Sequence, residues 1–593
     1  MGTRHLQDDE YLLRRQRIVG NEMVSTAELE LLYQAKPNKK LPLIPFAPYV
    51  WVYNLGKQSY DSAKIEQKMQ KITNDYKLKK AKHLDNQQKI KRLERAESKK
   101  LEKGQRDLRD GNIFMRWGEP LSVYNKQSAD RTRDQMRQLL QNRGYFNNSV
   151  EYTFKDKGKM RYVTYMVEED FPHIIDTFRV IVSDSAIHRL ILEHQKDSQI
   201  SEGSNYDQDA LVRERERIEK LLRNNGYFDF SRQYIGFDVI TDLRPYGLEV
   251  NMVISDPARR EFHRKFVIDS VIFVTDANTA PIAPSRTFFQ YNGINYQYYK
   301  KRFSKKVLDQ RVLLYPSMPY SLDNTLNTQR MLAFLDNFKF ININYDTTDG
   351  KFIANIFTSP LPKYQITNEM GLNVTQGFPG PFYNLSLTNR NIFGGLENLE
   401  ISGFFGFEGV ASATTNDIYS SVESGAKLAL IFPQFVLPFS ANFKRKIGLN
   451  NPNTTIRSGF IFTTRPEYTR TNFTNSLGYS WQKDRTKMNN FTLSEISLIN
   501  STTVPEFDAL LRELDSLGNP LIRSFDPSFV SAMNFSLIYN FNPNDLFGNR
   551  SSMLKLFGEV GGTIFNLFEP TMFQENRIDT IQYFQYLKFN TDF

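Results

Sequence analysis

Hydrophobic and polar positions change period once along the chain, near Lys363. Before that point, short alternating stretches trade places with segments of helical spacing. After it, alternation with period two dominates. A strand sends successive side chains to opposite faces, whereas a helix returns to one face every three or four residues. The change therefore predicts an α+β first half and a strand-built second half.

The first half contains a repeat. Residues 124–146 (YNKQSADRTRDQMRQLLQNRGYF) and 206–228 (YDQDALVRERERIEKLLRNNGYF) align without a gap at an offset of 82. They share Tyr124/Tyr206, Arg131/Arg213, Arg133/Arg215, Leu139/Leu221, Leu140/Leu222 and Asn142/Asn224, and both close on Gly-Tyr-Phe: Gly144, Tyr145, Phe146 and Gly226, Tyr227, Phe228. Each copy predicts a helix stopped by a glycine in the left-handed conformation, which other residues adopt at a steric cost. The aromatic pair is expected to open a strand. A second strand follows, at 161–167 in one copy and 247–254 in the other, where Leu248, Val250, Met252 and Ile254 share a face. Upstream of the second helix, 173–182 reads as a strand and 185–194 as a helix. The unit is β-α-α-β-β.

A weaker third copy has a strand at 266–275, a helix at 320–335, the turn Asp336-Asn337-Phe338-Lys339-Phe340 in place of Gly-Tyr-Phe, and strands at 339–345 and 351–358. The first copy is split: its strand (11–19) and helix (26–34) are separated from Gly118-Glu119-Pro120 by Pro-rich and charged helical sequence. The predicted modules are 8–170, with an insertion at about 41–117, then 171–257 and 262–361, ahead of 362–593.

In the second half, Tyr364, Ile366, Met370, Leu372 and Val374 fall on one face, and Gln365, Thr367, Glu369, Asn373 and Thr375 on the other. Tyr383, Leu385 and Leu387 alternate with Asn384, Ser386 and Thr388. Met533, Phe535, Leu537, Tyr539 and Phe541 alternate with Asn534, Ser536 and Asn540. Strands of about ten residues with one apolar and one polar face suit an antiparallel transmembrane β-barrel. A soluble sandwich also alternates, but over strands of about five or six residues. The run Phe404-Phe405-Gly406-Phe407 is expected at a strand end, in an aromatic girdle.

Composition narrows the chemistry. A chain of 593 residues holds several domains. Its net charge of +10 is concentrated in 77–109, where Glu94, Glu97, Glu102 and Asp107 interrupt the basic residues and aromatics are nearly absent. That pattern predicts a solvated helix and no nucleic-acid partner. With no cysteine, thiolate sites and disulfides are excluded. No apolar run is long enough for a membrane helix, and Pro42, Pro45 and Pro48 keep 41–55 from forming one regular helix. Met1-Gly2-Thr3-Arg4 carries no export signal, so an exported form is expected to have lost its leader.

No Gly-X-Ser-X-Gly elbow, phosphate loop or His-Glu-X-X-His pattern occurs. His188 and His194, six apart, fall on different helix faces. Glu168-Glu169 sits at a strand end and reads as a boundary. These features predict a protein that is not an enzyme, with no cofactor, catalytic or metal site.

Three such modules ahead of a barrel resemble the outer-membrane assembly-factor superfamily of BamA and TamA, the modules being similar to POTRA domains. The Gly-Tyr-Phe endings carry this resemblance, as does residues 383–395 (YNLSLTNRNIFGG), which resembles the early barrel hairpin. Thr3-Arg4-His5-Leu6, Lys36-Pro37-Asn38-Lys39 and Trp51-Val52-Tyr53-Asn54-Leu55-Gly56 resemble the superfamily's lipoprotein branch, TamL. The resemblance implies that the POTRA modules capture client strands and that the edge of the first barrel strand templates their insertion. Gln365, Thr367, Glu369, Gly371 and Asn373 would lie along that edge.

The implied partners are unfolded outer-membrane protein clients, outer-membrane lipid and a TamB-like inner-membrane protein. A two-partner-type secretion pore or a passive outer-membrane channel is the alternative. Several departures stand out. No cysteine is present to carry a lipid, about ten strands follow Lys363 where the superfamily has sixteen, and the Arg-Gly motif of its plugging loop is missing. Thr591 also stands where a terminal signal ending in Phe593 usually has an aromatic. These predict a barrel truncated at its C-terminal side.

Overall fold

The computed structural model describes residues 6–39, 47–82, 87–258, 260–278, 285–347, 350–375, 378–411, 418–437, 440, 443, 447–482, 486–541, 552–563, 582–583 and 585–593. Thr3-Arg4-His5, Pro42 and Pro45 lie outside them. The chain forms two compact units, residues 1–219 with 231–263 and residues 220–230 with 264–593.

The first unit begins with β1 (Leu12–Val19) and α1 (Thr26–Glu30) and, after an insertion, continues through α6 (Lys126–Asn142), β2 (Ser149–Lys157) and β3 (Met160–Glu168). The sheet order is β1-β3-β2, with β1 parallel to β3 and β2 antiparallel to it. A parallel pair needs a long crossover, which the helices supply. Leu13, Leu29, Met136, Leu140, Val163 and Tyr165 form the core where the helices cover one sheet face. Helix α1 stops four residues short of the expected 34. Leu32 and Tyr33 make tight i→i−3 bonds there, and the Gln34 N–H goes to the Thr132 hydroxyl at 3.2 Å.

The insertion comprises α2 (Pro48–Gln58), α3 (Ser62–Ala81), α4 (Gln87–Asp110) and α5 (Ile113–Trp117). The expectation of one charged helix is corrected to two. Helices α3 and α4 run antiparallel, with Lys80 bonded to Glu97 at 2.6 Å and Gly104 seated against Met69. Pro48 opens α2 in the first turn, where its missing N–H has no intrahelical partner to lose.

The next module contains β4 (Ile174–Val182), α7 (Ser185–Glu193), α8 (Gln208–Asn224), β5 (Ile235–Arg244) and β6 (Gly247–Ile254), with sheet order β4-β6-β5. Leu248, Val250, Met252 and Ile254 are all buried. The aromatic pairs do not open strands, contrary to expectation. Tyr145 is buried in a turn that precedes β2 by several residues, and Tyr227 does the same before β5.

The second unit holds β7 (Ser270–Val274), β8 (Thr287–Tyr291), β9 (Ile294–Tyr298), α9 (Lys305–Asp309), α10 (Leu322–Ala333), β10 (Phe338–Asp346) and β11 (Ile353–Pro360). Its five-stranded sheet has order β10-β11-β7-β9-β8. The hairpin β8–β9 was not anticipated. Its signal was Asn292-Gly293, both at positive φ, the pair that a two-residue hairpin turn favours.

There follow β12 (Tyr364–Thr375), β13 (Phe378–Arg390), β14 (Asn398–Ala411), β15 (Ile418–Phe432), β16 (Asn453–Thr464), β17 (Tyr468–Gln482), β18 (Lys487–Thr503), α11 (Pro505–Ser516), β19 (Ser528–Asn540), β20 (Met553–Gly561), β21 (Gln582–Tyr583) and β22 (Leu587–Asp592). The path from β12 to β20, then β22, pairs antiparallel in chain order, while β21 pairs parallel with β19. Most of these strands run 12 to 17 residues, longer than the roughly 9–11 that a tilted membrane strand needs. Phe404 to Phe407 lie inside β14 rather than at its end. Among the described residues no helix is long and apolar enough to cross a membrane.

Candidate functional site

Strand β12 pairs with β13 from Tyr364↔Asn389 to Thr375↔Phe378. Among the described residues no strand covers its other side. Its apolar row, Tyr364, Ile366, Met370, Leu372 and Val374, is 61–77% exposed, whereas Tyr383, Leu385 and Leu387 on β13 are 36–44% exposed. The difference follows from the missing neighbour. An unpaired edge presents a row of N–H and C=O groups on which another strand can form.

Of the five residues predicted along this edge, three have side chains engaged toward the sheet. Gln365 accepts from Arg390 Nη2 at 2.9 Å, and Glu369 accepts from Asn384 at 3.1 Å. Asn373 donates to Glu408 at 3.4 Å, and a side chain at Gly371 would meet the Phe382 ring at 2.8 Å. The Thr367 hydroxyl accepts from the Gln365 amide at 3.5 Å. These side chains hold β12 from one side, so the free edge is a property of its backbone.

The base of this strand pair is fixed to the third module. Buried Arg390, at the end of β13, donates through Nε to the Asp336 carbonyl at 2.8 Å and through Nη2 to the Asp336 carboxylate at 3.2 Å. Asp336 has φ +49, the left-handed role that glycine fills in the other two copies. Asn337 beside it donates to the carbonyl of Leu396 at 3.2 Å and to the side chain of Asn398 at 3.1 Å. Leu396, in the turn between β13 and β14, is buried in the module's own core. The Gly394 carbonyl of that turn, in the segment resembling the early hairpin, receives the Ser304 N–H at 2.7 Å.

A second tie was invisible in the sequence. Arg311, in the loop after α9, is fully buried and reaches the segment between β15 and β16. It donates to the carbonyls of Gly448, Pro433 and Pro452 and to the Asn451 amide oxygen at 3.2 Å. Burial pushes its guanidinium down to about 10, which leaves it charged at neutral pH. A planar fork of donors suits such a cage of carbonyls, where a lysine would reach fewer of them.

The Gly-Tyr-Phe turns are joints. The Gly144 carbonyl accepts the His173 N–H at 2.9 Å, and Tyr206 N–H bonds the His173 carbonyl at 2.8 Å. Gly226, Phe266 and Tyr320 repeat this at 2.8 and 3.0 Å. Phe146 packs on His173 and Tyr206, and Phe228 on Phe266 and Tyr320. Gly144 and Gly226 have φ of +89 and +104.

The other candidates resolve into structure. The Glu169 carboxylate is buried and accepts the N–H groups of Met23 and Val24 at 2.7 and 3.0 Å. His194 lies 3.0 Å from the Leu190 carbonyl. His188 lines a small groove with Phe178 and Ile191. Among the described residues no cluster could hold a metal ion.

Residues 87–170 match the family "POTRA: Surface antigen variable number repeat". No curated protein matches the chain. Solved structures similar to it include BamA of Haemophilus ducreyi lacking POTRA domains 1–3, at 10% identity over 66% of this chain and 87% of that one, with a TM-score of 0.28. BamA POTRA3-5 of Haemophilus influenzae is 11% identical over 60% and 99%, with a TM-score of 0.26. CdiB of Escherichia coli is 11% identical over 74% and 66%, with a TM-score of 0.30. At such scores the superpositions define no shared fold, so the architecture rests on this chain's own strands. The chain thus carries a sequence-matched POTRA repeat at residues 87–170 and folds as α/β modules followed by a chain-order antiparallel sheet of long strands.

Proposed function

We propose that the chain is an outer-membrane protein assembly or translocation factor. Its POTRA modules lie in the periplasm, its long-strand sheet lies in the outer membrane, and the edge of β12 receives a strand of an unfolded client. The observation that carries this reading is the one-sided pairing of β12, with Arg390 holding its base to the third module. A strand kept in register on one side is a template on the other, because edge addition needs fixed spacing of backbone groups. The mechanism involves no covalent chemistry. Backbone groups in lipid must be bonded, so a client strand gains by pairing before it meets hydrocarbon.

The finer form of this reading places the protein in the TamL branch, with a TamB-like partner at the inner membrane. The competing form, a two-partner-type secretion pore or passive channel, requires β12 to stay paired during function. Vesicles carrying the protein should fold a urea-denatured outer-membrane protein faster than empty vesicles do, without steady ionic conductance. Stable conductance with no acceleration of folding would favour the pore.

A further inference from the structure

The insertion in the first module carries two features, a concentrated positive charge and a set of exposed large apolar side chains, and solvation explains only the first. Between 62 and 110, sixteen Lys and Arg stand against eight Asp and Glu, a net +8 of the chain's +10. Most of these residues lie in the antiparallel helices α3 and α4, where most of the described basic side chains are exposed. At their base, α2 and α5 pack together: Asn112 donates to the Gly56 carbonyl at 2.7 Å, and Glu119 N–H to the Tyr49 carbonyl at 3.0 Å. Their outer sides leave Trp51 61% and Trp117 66% exposed, with Leu55, Ile113 and Phe114 also in water. Two of the protein's three tryptophans are therefore spent on a surface. A solvated helix accounts for the charge, but an exposed cluster of large apolar side chains calls for something to cover it.

We propose that this insertion is a membrane-docking arm that binds an anionic phospholipid surface. The charge and the rings each select that occupant. Lys and Arg on a helical hairpin are drawn to a negatively charged headgroup layer within a Debye length. Tryptophan sits at the headgroup level, where its ring is apolar and its N–H is wet. The aliphatic Leu55 and Ile113 among the rings suit acyl chains better than the flat stacking of nucleic-acid bases. The inference stands apart from the client-strand edge and does not depend on it.

Intrinsic fluorescence tests it on the full chain. Trp481→Phe leaves emission from Trp51 and Trp117 alone, with the barrel sheet held in a non-ionic amphipol. Vesicles containing brominated phosphatidylglycerol should quench this emission at least about twofold, while brominated phosphatidylcholine alone should not. Adding Lys68→Gln, Lys71→Gln, Lys99→Gln and Lys103→Gln, all exposed positions, should abolish most of the quenching, with circular dichroism confirming that the helices persist. Equal quenching by both lipids would overturn the assignment. So would emission that lipid leaves unchanged while aqueous iodide still quenches it, the result expected if a protein or nucleic acid is the true partner.

Discussion

His173 donates its backbone N–H to the carbonyl of Gly144 at 2.9 Å, and one module later Phe266 does the same to Gly226 at 2.8 Å. The helix-ending glycine is thus also the socket for the chain that enters the next module. In the third copy Asp336 takes the left-handed position, and the element docked there is the base of the β12–β13 pair, through Arg390. One local device thus recurs three times along the chain.

The two glycines differ in what a side chain would meet. At Gly144 a Cβ would lie 2.8 Å from the Tyr206 carbonyl, which is backbone, whereas at Gly226 it would meet the flexible Lys265 side chain. Gly144→Val should destabilise its joint by about 1–3 kcal/mol from the positive φ alone, with the clash in addition. Hydrogen exchange at the His173 and Tyr206 amides should quicken accordingly, and more than exchange at Phe266 does in Gly226→Val. Unchanged protection at His173 would mean that the turn is not a joint.

Arg311 ties the third module to the segment between β15 and β16. Arg311→Met would strand several buried carbonyls without donors, costing at least about 2 kcal/mol. Hydrogen exchange at the Asn450 and Asn451 amides should then quicken at least about tenfold, because exchange tracks local opening. Arg311→Lys should fall short of wild type, since an ammonium cannot reproduce the fork. A wild-type rate in Arg311→Met would show that the cage does not hold this segment.

The facing of β19 is set by alternation. Phe535 is exposed on the sheet's apolar face, while Asn534 donates to Glu495 at 3.3 Å on the other. Phe535→Arg should cost about 2–4 kcal/mol near the bilayer midplane. Asn534→Arg, placed beside a carboxylate, should be tolerated. Refolding yields into lipid that fall equally for both variants would reject the assigned faces.

What the sequence made legible follows the range of the forces involved. Gly247–Ile254 was readable to the residue because its alternation and the glycine that opens it are local. The positive φ at Gly144 and Gly226 was readable because only glycine takes it cheaply. The Tyr-Phe pairs were misread as strand starts, since their partners His173, Tyr206 and Phe266 lie tens of residues away. Arg311 gave no signal, because an arginine in a polar loop is ordinary until distant carbonyls surround it. The β12 residues were readable as a strand. Their unpaired edge depends on which strand lies beside them, and that information belongs to the topology.

The claim that β12 templates a client is tested most directly by its edge. The chain has no cysteine, so Thr367→Cys introduces a single thiol at the position least engaged with the sheet, and Gln365→Cys supplies a neighbour two residues away on the same face. Disulfide cross-linking to an outer-membrane protein carrying one cysteine near its terminal strand should be strong at one pairing and weak when the client cysteine moves by two residues, because a ladder fixes register. Cross-linking that ignores register, or none at all from protein confirmed as folded, would contradict the account and leave the channel as the better description.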